Sequence, residues 1–550
     1  MPIPVQKRLR VHPSSHTGGS TQPKTIPLSI LDATVLNYST SGCIWFYPGS
    51  QTEEGVDRLI NLSLPKTLDA YPQWAGHLRF ASYDLNAGHT HRQGRLELEH
   101  GGPEDQGVEV MLARADCLMQ AMIPSNESRN GRFWDATEVD YQNLLDMSTP
   151  FAPDEAQDPK PLPCMKIQLT TFPTGGLAIA IGLAHPLADA QTLLHFAHSW
   201  AATNLALSSS SPLPTLTPVF NPSLLDKAAA GDIDAFIPNH RILEKAAPLP
   251  LHRYDYWASG GPSCPEYALP ATKIPDELSH LSEKEIARGA KIPWESWDLA
   301  AKVAHVDFFF SGEEVHGIYE RAAGKAGGRI SHLDALLAKM WGALIRARRD
   351  CAGGGLEVGD EHWLDVSIDV RRRVEPKLPA GFIGSPIVNV GIITTVPATQ
   401  SPGEDGFDID LGGKAANIRN TISLFTPTNT AALLHEMAFE LGAQRRWNCF
   451  LGDKHVIVTS WVGIGLEDVV FEKGEKPVWV ESILPPCEGT VQVMEGLSPR
   501  DVGEGQENGE REVGKAGEWW RNGVTLSVWL KEDVMGRLVE DGGLRVFGEV

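Results

Sequence analysis

The sequence predicts an α/β protein built as two large halves, each mixing apolar strands with amphipathic helices. Three observations carry that expectation. A chain of 550 residues exceeds what one hydrophobic core organises. Short apolar runs and stretches of helical periodicity recur on both sides of its middle. Between them, residues 208–302 hold many Pro and Gly with little periodicity, and read as a long crossover. The halves are therefore expected at 26–207 and 303–550. A Pro/Ser/Gly-rich arm, 1–25, precedes them; it carries the basic run Lys7-Arg8-Leu9-Arg10 and is expected to be disordered.

The first half opens with IPLSILDATVLNY from Ile26. A strand follows in which Cys43, Trp45 and Tyr47 alternate onto one face. Val56, Leu59, Ile60, Leu64 and Leu68 recur at helical spacing, and the helix ends near Ala70-Tyr71-Pro72. Residues 96–98 and 108–112 read as strands with acidic outward positions. Leu177–Leu183 (LAIAIGL) is short, apolar and set behind Gly175-Gly176, the pattern of a buried strand. It runs into His185-Pro186-Leu187-Ala188-Asp189 and then a helical pattern over 190–204, whose Leu193, Leu194, Phe196 and Trp200 form an apolar face.

The second half begins with a strand at 304–310 and a helix at 312–326. Ser331 and Asp334 have capping-box spacing ahead of a stripe of Leu333, Leu336, Leu337, Met340, Trp341 and Leu344. A strand at 363–370 leads into Arg371-Arg372-Arg373, and further strands are expected at 455–461, 478–483 and 524–530 before a closing helix. Three Gly/Glu-rich stretches, 351–361, 401–413 and 502–517, read as exposed insertions that hold much of the acidic surplus.

The net charge of −22 argues against nucleic acid or an anionic membrane as the main partner. No apolar h-region follows the N-terminal charges, and the longest apolar run covers about half of a membrane span. The seven cysteines are scattered, with no CxxC or metal-ligand spacing. A cytoplasmic, monomeric protein with reduced thiols and no metal is expected.

Pro186 removes an N–H and restricts His185, which places the imidazole on a bend at a strand end. The residues alone leave two readings: a histidine satisfying a local hydrogen bond, or a base presented to a substrate. No phosphate loop, GxSxG elbow or Cys–His pairing offers another centre.

Taken in order, several blocks resemble the BAHD (HXXXD-type) acyl-CoA-dependent acyltransferases. They are Pro27-Leu28-Ser29 to Asp32, Tyr71-Pro72 to Leu78, His185 to Asp189, Asp334-Ala335-Leu336 with Trp341, Asp369 to Arg373, Gly381 to Ser385, and Thr459-Ser460-Trp461. The flavour is fungal, similar to trichothecene 3-O-acetyltransferase-like proteins. The resemblance implies two similar chloramphenicol-acetyltransferase-like domains with mixed sheets and an active site in the channel between them. It implies acyl-CoA as co-substrate, acetyl-CoA first, and a small hydroxylated or amine acceptor from secondary metabolism.

It also assigns residues. His185 is the implied base, and Thr459 and Trp461, on one strand face, donate to the tetrahedral intermediate. Asp189 turns from the histidine to a structural ion pair with Arg371 or Arg373. Cys43 and Trp45 match positions that touch the acceptor in some relatives. The family's Asp-Phe-Gly-Trp-Gly block falls on Val470-Phe471-Glu472-Lys473-Gly474, where the Asp and Trp are replaced; Asp468 is the expected substitute. The replacement keeps a second reading open, a non-acylating member of the fold acting as a cyclase, isomerase or binding protein.

Overall fold

The computed structural model describes residues 3–16, 22–49, 52–130, 132–145, 161–173, 175–351, 359–395, 410–496, 518–541 and 544. Most of the three Gly/Glu-rich insertions (352–358, 401–409 and 502–517) lies outside the described residues.

Two mixed sheets dominate. The first runs in the order Val5–Val11, Val108–Arg114, Met165–Thr171, Leu177–Leu183, Ser41–Tyr47 and Trp479–Ser482. Only its Val108–Arg114/Met165–Thr171 pair is parallel. The second runs Ile387–Thr395, Glu361–Asp369, His455–Trp461, Thr490–Glu495, Val524–Lys531, Val303–Phe310 and Phe133–Asp135. Within it, His455–Trp461 is parallel to both of its neighbours.

Each sheet therefore holds one strand from the other half. Phe133–Asp135 pairs with Val303–Phe310, and Trp479–Ser482 pairs with Ser41–Tyr47. Composition marks 207 and 303 as the limits of the halves, but the sheets do not respect those limits.

The arm is corrected outright, because Val5–Val11 is an edge strand and not a disordered leader. Val11 and Leu9 turn to the core, while Arg8 and Arg10 reach Glu109 on the neighbouring strand at 3.3 and 3.7 Å. The basic run that suggested an unstructured arm is matched by an acid across the ladder.

Predicted helices largely fall where their periodicity puts them. Gly312–Ala326 is capped by Ser311 with Glu314 in a full capping box, and its C-cap Gly327 sits at φ 65°. Ser331 and Asp334 cap His332–Cys351 reciprocally, at 2.6 and 3.2 Å. The helix from Glu53 to Leu68 is widened to π geometry over Arg58–Ser63. Pro65 cannot donate to the ladder and crowds the carbonyl four residues back, so the turn before it opens.

The crossover is more structured than its composition suggests. It forms short helices, including His240–Ala246, and buries Trp257, Trp294 and Trp297 in small apolar clusters. A two-stranded ladder, Tyr254–Asp255 with Arg446–Trp447, ties it to the second half.

Candidate active site

Leu177–Leu183 ends in a single 3₁₀ turn, His185–Leu187, closed by Leu187 N to Ala184 O (2.9 Å) and Ala188 N to His185 O (3.2 Å). Asp189 then caps the Ala190–Ser208 helix by accepting from Thr192 N at 2.9 Å. Strand, turn and helix N-terminus thus follow directly, and the turn presents His185 at the wall of a cavity of about 1090 Å³. Both halves line it, with Tyr38, Ser41 and His185 from the first and Asn389, Thr459 and Trp461 from the second.

The Nδ1 of His185 lies 3.0 Å from Ser385 Oγ, and the Tyr38 ring stands edge-on at 5.6 Å. Burial holds the imidazole below its usual 6.5, with its own carbonyl and the charge of Asp189 opposing in part. Ser385 is itself fixed, since its backbone N donates to Asp32 Oδ1 at 2.7 Å. Asp32 also accepts from Ser29 N and Oγ at 3.1 and 2.6 Å; burial outweighs these bonds and pushes its carboxyl up to about 6. Gly384 makes the turn into Ser385 possible. It sits at φ +152°, and a Cβ there would meet the Phe382 ring at 3.1 Å and Asp32 at 3.2 Å.

Asp189 does not serve the histidine as an orienting carboxylate. It is buried in a bidentate pair with Arg371, at 2.5 and 2.9 Å. Arg371 further donates to Thr192 Oγ1 (3.0 Å), Gly384 O (3.3 Å) and Asp369 (3.1 Å). Burial alone would lower the guanidinium, but Asp189 and Asp369 hold its charge more firmly than in water. Arg373 is not a partner: it donates to the carbonyls of Ile422 and Phe425 at 3.2 and 3.3 Å.

Thr459 and Trp461 share a face of the His455–Trp461 strand and both line the cavity. The indole N–H, however, is spent on Thr459 Oγ1 at 3.2 Å. The expectation of two parallel donors is thereby revised, since the tryptophan occupies the threonine's acceptor side and leaves its O–H to donate.

Cys43 and Trp45 are fully buried in a strand covered on both faces, and neither lines the cavity. Only Ser41 and Gly42, at the strand's start, reach it. Trp45 instead donates to Leu466 O at 3.1 Å, and Tyr47 OH to Val469 O at 2.7 Å, which pins the segment after Trp461.

The altered Val470–Gly474 block keeps its apolar anchor. Phe471 is buried 4.8 Å edge-to-face from Trp200, and its carbonyl accepts from Asn204 at 2.9 Å. Asp468 does not take over from the missing acid, because it is exposed and paired with Lys476 at 2.8 Å. The nearby backbone is held by Glu495, which accepts from Ile464 N and Gly465 N at 2.7 and 3.2 Å.

Among the described residues, His305, Asp307 and Glu481 bring potential metal-ligand atoms within 4.8 Å of one another. They do not line the cavity, and burial together with Asp307's charge pushes the Glu481 carboxyl well above the usual carboxylate range. Sequence reasoning gave no role to Ser385, Tyr38 or Asn389, which lie in blocks whose chemistry depends on long-range packing. The same holds for Tyr256, Trp297 and Trp447, the aromatic wall that the crossover and its partner strand supply.

The sequence model described as "Transferase family" matches residues 1–248 and 261–505. The chain belongs to this family, the BAHD acyltransferases, and is an acyltransferase of the class that transfers groups other than aminoacyl. It is 28% identical over 466 residues to Acyltransferase AFT15-1 of Alternaria alternata, covering 82% of this chain and 83% of that one. Acyltransferase abl6 of Leptosphaeria maculans is 23% identical, over 99% of this chain and 98% of its own. In fold it is similar to F. sporotrichioides TRI101, solved with coenzyme A and T-2, at TM-score 0.58 and 17% identity over 94% of this chain and 97% of that one. Vinorine synthase matches at TM-score 0.56 and 17% identity, over 98% of each chain. Among the described residues, no helix is long and apolar enough to cross a membrane.

Proposed function

We propose that the protein transfers an acyl group, acetyl in the first instance, from acyl-CoA to a hydroxyl of a small secondary metabolite. His185 is the general base. The observation that supports this most is the placing of His185: Nδ1 is engaged by Ser385, and the ring opens on a cavity walled by both halves. With the ring proton on Nδ1 and donated to Ser385 Oγ, the lone pair of Nε2 is free to accept a proton.

The reaction then needs one ternary complex and no acyl-enzyme. Nε2 takes the acceptor's O–H proton as the oxygen attacks the thioester carbonyl. Thr459 donates its hydroxyl hydrogen to the oxyanion that forms, with Trp461 holding it in that orientation. Collapse breaks the C–S bond, and the imidazolium returns the proton to the departing thiolate. The products are an ester and free CoA. Asp189 and Arg371 take no part in proton transfer; they fix the turn that carries the base.

Incubating the purified protein with acetyl-CoA and a panel of hydroxylated metabolites, while following free thiol, tests this reading. Acceptor-dependent thiol release supports it. Tight binding of a metabolite with no thiol release across several acyl-CoAs favours the non-acylating reading that the altered Val470–Gly474 block raises.

A further inference from the structure

Beyond His185 the cavity wall turns aromatic. From His185 the wall continues through Tyr38, whose hydroxyl accepts from Asn389 Nδ2 at 2.8 Å. Asn389 in turn accepts from Ser367 at 2.6 Å, so the polar groups on this stretch are largely spent on each other. Next come Cys449, buried, and Trp447, whose indole N–H points to Cys449 Sγ at 3.1 Å. Tyr256 stacks on Trp447 with centroids 6.0 Å apart and planes 14° apart, and Trp297 lies 6.0 Å from the same indole. The result is a wall of ring faces and a thiol in which the polar groups of Tyr38, Asn389 and Trp447 are engaged with one another or with Cys449.

Its charge is cancelled. Arg446 also lines this wall, but its Nε meets Glu440 at 2.8 Å and its Nη1 meets Asp255 at 3.4 Å. Asp255, fully buried, is held in turn by Arg445 at 2.6 Å, which keeps its carboxyl low despite burial. An ammonium bound here would find no free carboxylate among these residues and would face Arg446. A carboxylate would find that arginine already neutralised. At this stretch of wall either ion would give up water for no compensating partner; Asp369, Arg372 and Lys377 line the cavity elsewhere. A flat uncharged ring system loses little and gains contact with the two indoles, whose planes lie 45° apart and so offer it one face and one edge.

We propose that the acceptor is an uncharged, planar or fused-ring alcohol, and that Trp447 and Trp297, seated by the crossover ladder, select it. The inference rests on the acyl-transfer reading of the same cavity. It makes the transfer O- and not N-directed, and it assigns the crossover a part in specificity.

The test uses the full chain with acetyl-CoA and five probes: 2-naphthalenemethanol, a sterol-type alcohol such as estradiol, spermidine, glucosamine and quinate. Binding is read by titration calorimetry and transfer by thiol release. The ring alcohols should bind at least about tenfold more tightly than the amines and the acid, and should be the probes acylated. Trp447→Ala should raise the KM of the better alcohol about tenfold or more while changing the KM for acetyl-CoA by less than about twofold; Trp447→Phe should largely restore it. Trp297→Ala serves as a second variant should Trp447→Ala fold poorly.

Ring alcohols that bind without being acylated would uphold the aromatic wall and count against the transfer reading. Three results would overturn the proposal: amines or quinate used as well as the ring alcohols, no binding of either ring alcohol, or an unmoved alcohol KM in well-folded Trp447→Ala and Trp297→Ala.

Discussion

His185 sits where burial favours its neutral form, and this sets the sign of the pH dependence. Its pKa in the folded protein lies below the usual 6.5, so the proposed base stays neutral as pH falls through 6.5 and is lost only below it. A pH profile of kcat/KM should therefore show an acid limb below 6.5; an acid limb above 7 would contradict the burial of the ring. Asp189 is the contrasting residue. Removing one partner of a buried pair strands the other charge, typically at about 3–5 kcal/mol. Asp189→Asn and Arg371→Ala should each lower the melting temperature by many degrees, and the double variant should cost less than their sum. Arg373→Ala should show no coupling to Asp189→Asn. Losses that are fully additive for Arg371, or coupled for Arg373, would put the ion pair elsewhere.

Among the elements, the segment after the His455–Trp461 strand separates two acids that sequence alone confuses. Glu495 lies beneath Ile464 and Gly465 and accepts from both, whereas Asp468 is exposed beside Lys476. Glu495→Ala leaves backbone amides unpaired and should cost about 1–3 kcal/mol with a fall in kcat, because Trp461 leads into that segment. Asp468→Ala should stay within about 0.5 kcal/mol of the parent. The reverse ranking in a denaturant series would return Asp468 to the supporting role. The same contrast explains what could be read from the sequence. Strands such as Leu177–Leu183 and helices such as Gly312–Ala326 announce themselves because periodicity and caps are local signals. His185 was visible because Pro186 and Asp189 flank it at fixed spacing. Ser385, Glu495 and Trp447 were not, since each acts on a residue 30 to 200 positions away in the chain, or on a cavity that local pattern does not encode. Cys43 and Trp45 misled for a related reason: alternation along a strand does not say that both of its faces are covered. The basic arm misled because its partner, Glu109, stands on a distant strand.

For the whole molecule, the exchange of Phe133–Asp135 and Trp479–Ser482 makes each sheet depend on the other half. Heating should give one cooperative transition, with calorimetric and van't Hoff enthalpies in agreement. Two resolved transitions would show that the exchanged strands contribute little. The interlock also keeps the cavity walls in register, with His185 and Tyr38 on one side and Thr459 and Asn389 on the other. In the proposed function this register lets one imidazole, His185, carry the proton of an acyl transfer. That role is tested most directly by comparing wild type with His185→Ala for thiol release and for binding of acetyl-CoA and acceptor. Near-native melting and binding are expected in the variant, with turnover down at least about 10²-fold. A well-folded His185→Ala protein that still transfers acyl groups at a rate near wild type would contradict that role.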